Sequence, residues 1–244
     1  MYFTPQQLSG GPKYSNKTRV GNWSEEIDFN QNNQRNYLDK KDKKKLMINQ
    51  TQEKFAKSFQ RVPQTYSHDG NLRFGDNVML MNKQTNGFMV FDMGDKINGV
   101  DEAYACTTTP KEIGPCGRSI CSLQKVDHEE GDDVVKYGEQ VRFVTNPYIF
   151  HKPLFLHSCP CTPQIFARFS RNLEVCLSTK SVYNTVWRII PKEGNASPLI
   201  GTPVQSNSQL IIEHCATKEF LSSDKINYGN QFGMECEVSC KKAA

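Results

Sequence analysis

Two kinds of hydrophobic spacing divide this chain. Residues 35–59 contain no Gly or Pro and are rich in Lys, Gln, Leu and Glu, which predicts a helix that ends before Pro63. Its apolar positions, Leu38, Leu46, Ile48, Phe55 and Phe59, make only a broken stripe, so such a helix needs support from something else. Upstream, Ser24 is a suitable N-cap, and Glu25, Glu26 and Asp28 favour the positive end of a helix dipole. Residues 1–17 carry Gly, Pro, Ser, Asn and Gln with almost no period and read as an extended lead. From Leu72 onward the spacing is that of strands.

Those strands repeat. Arg73-Phe74-Gly75-Asp76-Asn77-Val78-Met79-Leu80 and Lys136-Tyr137-Gly138-Glu139-Gln140-Val141-Arg142-Phe143 share one pattern: basic, aromatic, Gly, acidic, amide, Val, any residue, apolar. Ser206-Asn207-Ser208-Gln209-Leu210-Ile211-Ile212 is a weaker third copy. Each copy is followed by an apolar strand, at residues 87–90, 153–158 and 218–223. Further strands are expected at 173–177 and 234–238. The first two units close at 120–123 and 186–191. Units this short cannot each bury their own apolar face, so three of them are expected to share one core around a pseudo-threefold axis. Closure also removes exposed strand edges. The predicted fold is all-β, a β-trefoil over residues 72–244 (units 72–127, 134–191 and 203–244), preceded by a basic arm over 1–71 with one helix. An open sandwich is the competing arrangement. The third unit shows no counterpart to Trp187-Arg188-Ile189, so its closing strand is expected from a longer chain, from the arm or from a neighbour.

Charge sharpens the division into arm and domain. The net charge is +4, and mean hydropathy is −0.62 with 37% apolar residues, low for a uniformly packed globule. Residues 1–72 hold 12 Lys+Arg against 7 Asp+Glu, whereas 73–244 hold 18 against 19. The positive excess therefore belongs to the arm. Residues 1–8 are polar and lack the apolar centre of a signal peptide, and no apolar run approaches the roughly 18 residues needed to span a bilayer. Nine cysteines in no disulfide-like framework read as reduced thiols in a cytosolic setting.

Candidate chemistry is sparse. There is no Gly-x-Ser-x-Gly elbow, phosphate-binding Gly-rich loop or His-Glu-x-x-His, and the five histidines are dispersed. The acidic run at 127–133 lacks the spacing of a calcium loop and reads as a solvated turn. His157-Ser158-Cys159-Pro160-Cys161 offers zinc-type ligands, but the spacing favours a plain strand-end turn. No cofactor is expected. The run Lys40, Lys41, Lys43, Lys44 and Lys45 reads either as a solvated helix face or as a contact for an acidic partner. The arm's shortage of apolar residues favours the second reading. RNA binding would want aromatic platforms among the basic residues, and none lies closer than Tyr37. Trp187, among Val186, Ile189 and Ile190, is a core residue. Trp23, in a polar arm, is either packed on the β domain or an anchor for a partner's pocket.

The Tyr-Gly-x-x-Val-x-Phe, Phe-Leu-His-Ser, Leu-Glu-Val and Trp-Arg-Ile segments of the second unit resemble the MIR repeat, a β-trefoil module. A more extensive resemblance covers almost the whole chain. Arg19-Val20-Gly21-Asn22-Trp23-Ser24-Glu25-Glu26, Tyr37-Leu38-Asp39-Lys40-Lys41-Asp42, Phe74-Gly75-Asp76-Asn77-Val78 and Ile212-Glu213-His214-Cys215 look like segments of the cilia- and flagella-associated protein 161 family, in the same order. That resemblance implies a non-enzymatic microtubule inner protein in the axoneme of cilia. It would sit on the luminal wall of doublet microtubules and contact α/β-tubulin, itself acidic, and neighbouring inner proteins. Arg19, Asn22, Trp23 and the lysines at 40, 41, 43, 44 and 45 are then the expected partner-binding residues. No nucleic acid and no membrane are expected. The alternative is a soluble ligand-binding trefoil of lectin or inositol-phosphate type. The Gln-x-Trp signature of sugar-binding trefoils is missing, and the basic residues avoid the repeats.

Overall fold

The structure, a computed structural model, describes residues 23–97, 102–109, 112–126, 132–146 and 152–242. It divides into two compact units, Met1–Ala56 and Lys57–Ala244. In the first, helices α1 (Trp23–Asp42) and α2 (Met47–Ser58, whose last two residues lie past the boundary) replace the single helix suggested by the sequence. The break is a helix-ending turn made by the lysine run itself. The Lys45 amide donates to the Lys40 carbonyl at 2.7 Å and the Lys44 amide to the Lys41 carbonyl at 3.1 Å, with Lys44 at φ +53°. This is the paired bonding of a Schellman motif, with a lysine at the left-handed position that Gly usually takes. Propensity alone does not place it.

The second unit is β throughout. Its first repeat contains β1 (Asn77–Val78), β2 (Met81–Asn82), β3 (Gly87–Lys96), β4 (Ala103–Thr109) and β5 (Cys121–Lys125). The second contains β6 (Gln140–Thr145), β7 (Phe155–Ser158), β8 (Leu173–Ser178) and β9 (Trp187–Pro191), and the third β10 (Leu210–His214), β11 (Phe220–Asn230) and β12 (Gly233–Lys241). The outer strands pair in the chain β1–β5–β6–β9–β10, all antiparallel. The hairpins β3–β4, β7–β8 and β11–β12 lie off this wall, and their second strands meet one another: β4 with β8, β8 with β12, and β12 with β4. Five barrel staves capped by three hairpins around a common axis are the pairings of a β-trefoil. Its sixth stave is missing among the described residues.

Pseudo-threefold symmetry extends to single bonds. The amides of Phe74, Tyr137 and Ser206 donate to the carbonyls of Asp133, Thr202 and Gly70 at 2.8, 3.0 and 2.8 Å. Val135, Val204 and Leu72 return bonds to Leu72, Val135 and Val204 at 2.8, 2.9 and 2.9 Å. These six bonds form a closed ring joining the segments that lead into the three repeats.

Just beyond the ring, Gly75 and Gly138 occupy equivalent turns, at φ +88° and +90°, where a side chain is strained. Each donates at 2.8 Å to the fourth strand of its own repeat, to Leu123 and Ile189 respectively. Asn207, at φ +61°, takes the third such position. Acidic side chains fix the first two turns from within, Asp76 accepting from the Arg73 amide at 2.8 Å and Glu139 from the Lys136 amide at 3.1 Å.

The core draws on all three repeats, with Phe91, Leu123, Val141, Phe143, Leu156, Val175, Leu177, Trp187, Ile189, Val204 and Val238 all buried. Trp187 is fully enclosed and donates its indole N–H to the Leu156 carbonyl at 2.8 Å. Val62, upstream of the repeats, belongs to the same cluster. The stretch that carries it is tied along residues 115–118: Val62 donates to Pro115, Gly117 to Gln60 and Arg118 to Ser58.

Equivalent positions differ in burial in a telling way. Val141 is 0% exposed, whereas Val78 and Leu210 are only half-buried. Val141→Ala should therefore cost about 1–3 kcal/mol in denaturant unfolding and Val78→Ala distinctly less. Equal losses would mean that the two repeats are equally enclosed.

Candidate partner-binding surface

The arm concentrates charge on exposed backbone. Lys40 and Lys41 end α1, Lys43 to Lys45 form the turn, and all five side chains are exposed. Among the described residues, neither helix buries a side chain. Tyr37, Leu38, Met47 and Ile48 remain exposed beside the lysines. A cationic turn flanked by uncovered apolar residues can attract an acidic surface and then bury apolar area against it. Of the other partner-binding residues expected from sequence, Arg19 and Asn22 lie outside the described residues. Trp23 opens α1, but its side chain is likewise outside what is described. The acidic run at 127–133 falls largely outside as well.

Several groups of the kinds used in catalysis or metal binding are taken up by the fold. His214 is buried, and its Nε2 lies 3.0 Å from the Asn184 carbonyl, which can only accept, so that nitrogen carries the proton. Its Nδ1 then accepts from the Thr217 hydroxyl at 2.9 Å. Burial lowers the pKa of this ring and of His157, whose Nδ1 sits 3.5 Å from the Cys176 sulfur. Burial also pushes the thiols of Cys121 and Cys240 up to about 12 and that of Cys176 higher still, so they stay protonated and unreactive at neutral pH. Cys161 is exposed and Cys159 half-buried. No group of three or more His, Cys, Asp or Glu positioned to hold a metal occurs among the described residues.

Sequence reasoning missed the strongest electrostatic feature, a buried ion pair. Arg118 and Glu235 meet through two bonds of 2.9 and 3.1 Å, both side chains being 2% exposed. Glu235 also accepts from the Thr107 hydroxyl and the Asn230 amide, each at 2.6 Å. The guanidinium lies 3.5 Å over the Phe232 ring. Beside it, Gln231 and the Gly94 amide donate to the buried Asp92 carboxylate. Partners 117 residues apart leave no local signal. A second acidic cluster sits where β8 meets β12. Glu237 accepts the amides of Phe169 and Ser170 at 2.8 Å each. Burial and then the Glu237 charge push Glu174 up to about 7, against the pull of Arg168.

Solved structures share this architecture. An SDF2-like protein from Arabidopsis thaliana superposes with a TM-score of 0.57 at 20% identity, covering 71% of this chain and 90% of its own. A Caenorhabditis elegans protein of unknown function gives 0.58 at 16%, covering 73% and 93%. A protein O-mannosyltransferase complex of S. cerevisiae gives 0.58 at 15%, covering 78% of this chain but only 27% of the yeast one. Together with the strand pairings, these place the domain among the MIR-like β-trefoils.

The relatives by sequence narrow that class. No family model matches, but cilia- and flagella-associated protein 161 of Danio rerio is 28% identical over 247 residues, covering 93% of this chain and 81% of its own length. The Bos taurus and Mus musculus proteins of the same name are each 24% identical, covering 93% and 92% of this chain and 75% and 80% of their own. Over almost its whole length, then, this chain is similar to the cilia- and flagella-associated protein 161 of three vertebrates.

The buried charges yield two expected outcomes. Arg118→Met or Glu235→Leu alone should destabilise by about 3–5 kcal/mol, because each strands an uncompensated charge, and the double variant by much less. Chemical denaturation of the three variants checks this; additive losses would show that the pair is not coupled. Glu174 carries a folded pKa above its unfolded value, so its ionisation opposes folding above about pH 7, and that penalty disappears as pH falls toward 4.5. Glu174→Gln should accordingly raise Tm at pH 8 and change it little at pH 5 in parallel thermal melts.

Proposed function

We propose that this protein is a non-enzymatic structural component of the ciliary axoneme, a microtubule inner protein on the luminal wall of doublet microtubules. Similarity over almost the whole chain to proteins named for cilia and flagella supports association with the cilium. The observation that carries the finer reading is the arm. Its described helices bury nothing of their own and present Lys40, Lys41, Lys43, Lys44 and Lys45 around one exposed turn. Such an element stays marginal in water and gains stability by packing on something else. An acidic lattice such as α/β-tubulin supplies both the opposite charge and the apolar surface. The trefoil is then a bulky spacer held in register by the arm and available to neighbouring inner proteins. His157, His214 and the thiols of Cys121, Cys176 and Cys240, held neutral inside the fold, suit a scaffold better than a catalyst.

The test is retention in axonemes of ciliated cells expressing tagged chains. Full-length protein should remain with detergent-extracted axonemes, and a chain lacking residues 1–56 should be released. A chain in which the five lysines become Glu should be released as well. Release of full-length protein should rise with salt, since the screening length falls from about 10 Å at 0.1 M to about 3 Å at 1 M. The cut belongs at residue 56, because Ser58, Gln60 and Val62 bond to the β domain. Deletion that continues through Val62 should instead lower Tm. Full retention of the chain lacking 1–56 would exclude the arm as tether.

A further inference from the structure

We propose that Cys159 and Cys161 form a reversible oxidation site, closed to a disulfide by a low-molecular-weight disulfide such as oxidised glutathione, with the Glu174 carboxylate accepting the proton of Cys159. The inference concerns thiols of the β domain and does not depend on the axonemal reading.

Accessibility singles out the pair. Seven of the nine cysteines are buried, whereas Cys159 is half-buried and Cys161 exposed. A sulfur that solvent does not reach meets no oxidant, so oxidation follows exposure. The two reachable sulfurs share one Cys-Pro-Cys run, and a first oxidation at either therefore has its resolving thiol beside it. The pairing of β7 with β8 ends at Ser158. The chain then turns, with Thr162 and Ile165 exchanging backbone bonds of 3.0 and 3.2 Å. Cα atoms two residues apart span at most about 7 Å, and a disulfide needs about 4.4–6.8 Å. Pro160, with φ held at about −65°, supplies a bend, and closure takes place outside the ladder. Strained or exposed disulfides are the labile ones, so the bridge reopens under a dithiol.

Strand register places the base. Phe155, Leu156, His157 and Ser158 lie opposite Ser178, Leu177, Cys176 and Val175, and one more step sets Cys159 opposite Glu174. The Ser158 hydroxyl donates to the Glu174 carbonyl at 2.9 Å and holds the end of β7 down at that step. His157 and Cys176, the preceding pair on the same face, meet at 3.5 Å. Burial and then the Glu174 charge raise the pKa of Cys159. Burial and then the Glu237 charge push half-buried Glu174 up to about 7, with Arg168 opposing the rise and Asp95 adding to it. Such a carboxylate is matched to act as a base near neutral pH. Proton transfer from Cys159 to Glu174 forms the thiolate and removes the repelling charge in one step. His157 is the other base at hand, but burial lowers its pKa and its Nδ1 faces Cys176.

The exchange balances. Cys161 loses its proton to water, and its thiolate attacks one sulfur of oxidised glutathione, expelling a glutathione thiolate. Cys159 then passes its proton to Glu174, and its sulfur attacks that of Cys161, breaking the mixed disulfide and expelling the second glutathione thiolate. The two expelled thiolates recover the two protons. Two protein thiols are oxidised and one glutathione disulfide is reduced.

The test incubates the reduced full chain with oxidised glutathione, quenches by alkylation and maps the cysteines by peptide mass spectrometry. A Cys159–Cys161 disulfide should form, the seven buried thiols should stay reduced, and dithiothreitol should reopen the bridge. Cys159→Ser should stop at a glutathione adduct on Cys161, and Cys161→Ser should oxidise about tenfold more slowly. Glu174→Gln, in a chain that keeps its circular dichroism, should leave formation of the Cys161 adduct unchanged and slow its resolution about tenfold at pH 7.5. The resolution rate of that variant should also lose the rise through about pH 7 that the carboxylate confers. A Cys161 adduct that never resolves in the unmutated chain, a bridge to Cys176, or equal resolution rates with and without Glu174 overturns the proposal. So does oxidation spread evenly over all nine cysteines of the folded chain.

Discussion

A β-hairpin has two faces and two edges, and in water only one face can be left uncovered at no cost. Each repeat here has too little chain to cover its hairpin alone, so three repeats lean together and enclose one core. The ring of six bonds between the segments leading into the repeats is the device that holds them in phase. Once it is set, the positive-φ turns at Gly75 and Gly138 aim the following strands into the barrel wall, and the cap strands β4, β8 and β12 converge on the axis. Burial of Phe143 and Trp187 depends on that phase, because Phe143 lies opposite Leu123 of the first repeat and Trp187 packs on His214 of the third.

The cap end is settled by different chemistry. Apolar filling dominates the barrel, whereas an Arg118–Glu235 pair and the Asp92 carboxylate occupy the region where the first and third repeats meet. A bidentate pair in a low-dielectric interior tolerates little change of angle or distance, and Thr107 and Asn230 satisfy the remaining acceptor capacity of the Glu235 carboxylate. The pair thus selects one relative placement of β4 and the β11–β12 hairpin, where interchangeable aliphatic side chains would permit several. The same interior that shelters it keeps His214 neutral and Cys121 and Cys240 protonated.

How much of this was legible depended on whether the determinant was local. The repeat was visible because its turn needs Gly or Asn at a positive φ and an acidic or hydroxyl residue next, and both leave a spaced signature. Strand β4 was not visible: Ala-Tyr-Ala-Cys-Thr-Thr-Thr has small or hydroxylated residues where a buried strand usually shows Val and Ile, and only tertiary packing covers Thr107 to Thr109. The helix break at Lys44 was hidden because a lysine holds the position that a glycine would have advertised. The lysine cluster itself was legible as an exposed surface. The sixth stave, missing among the described residues, was half legible, since the absent fourth strand of the third unit could be counted but not the bonds between Thr65 and Asn77.

The ring of bonds has a consequence for how the chain acquires its shape. Its closing contact joins Gly70 to Ser206, residues 136 apart, and the Arg118–Glu235 pair spans 117. During synthesis at roughly 5–20 residues per second, the first repeat leaves the ribosome many seconds before its partners exist. Its hairpin and the unpaired edge of β1 must wait in the open through that interval. A topology so rich in distant contacts folds slowly and late. Chaperone capacity during translation, more than the stability of the finished fold, should therefore govern how much of this protein a cell can accumulate.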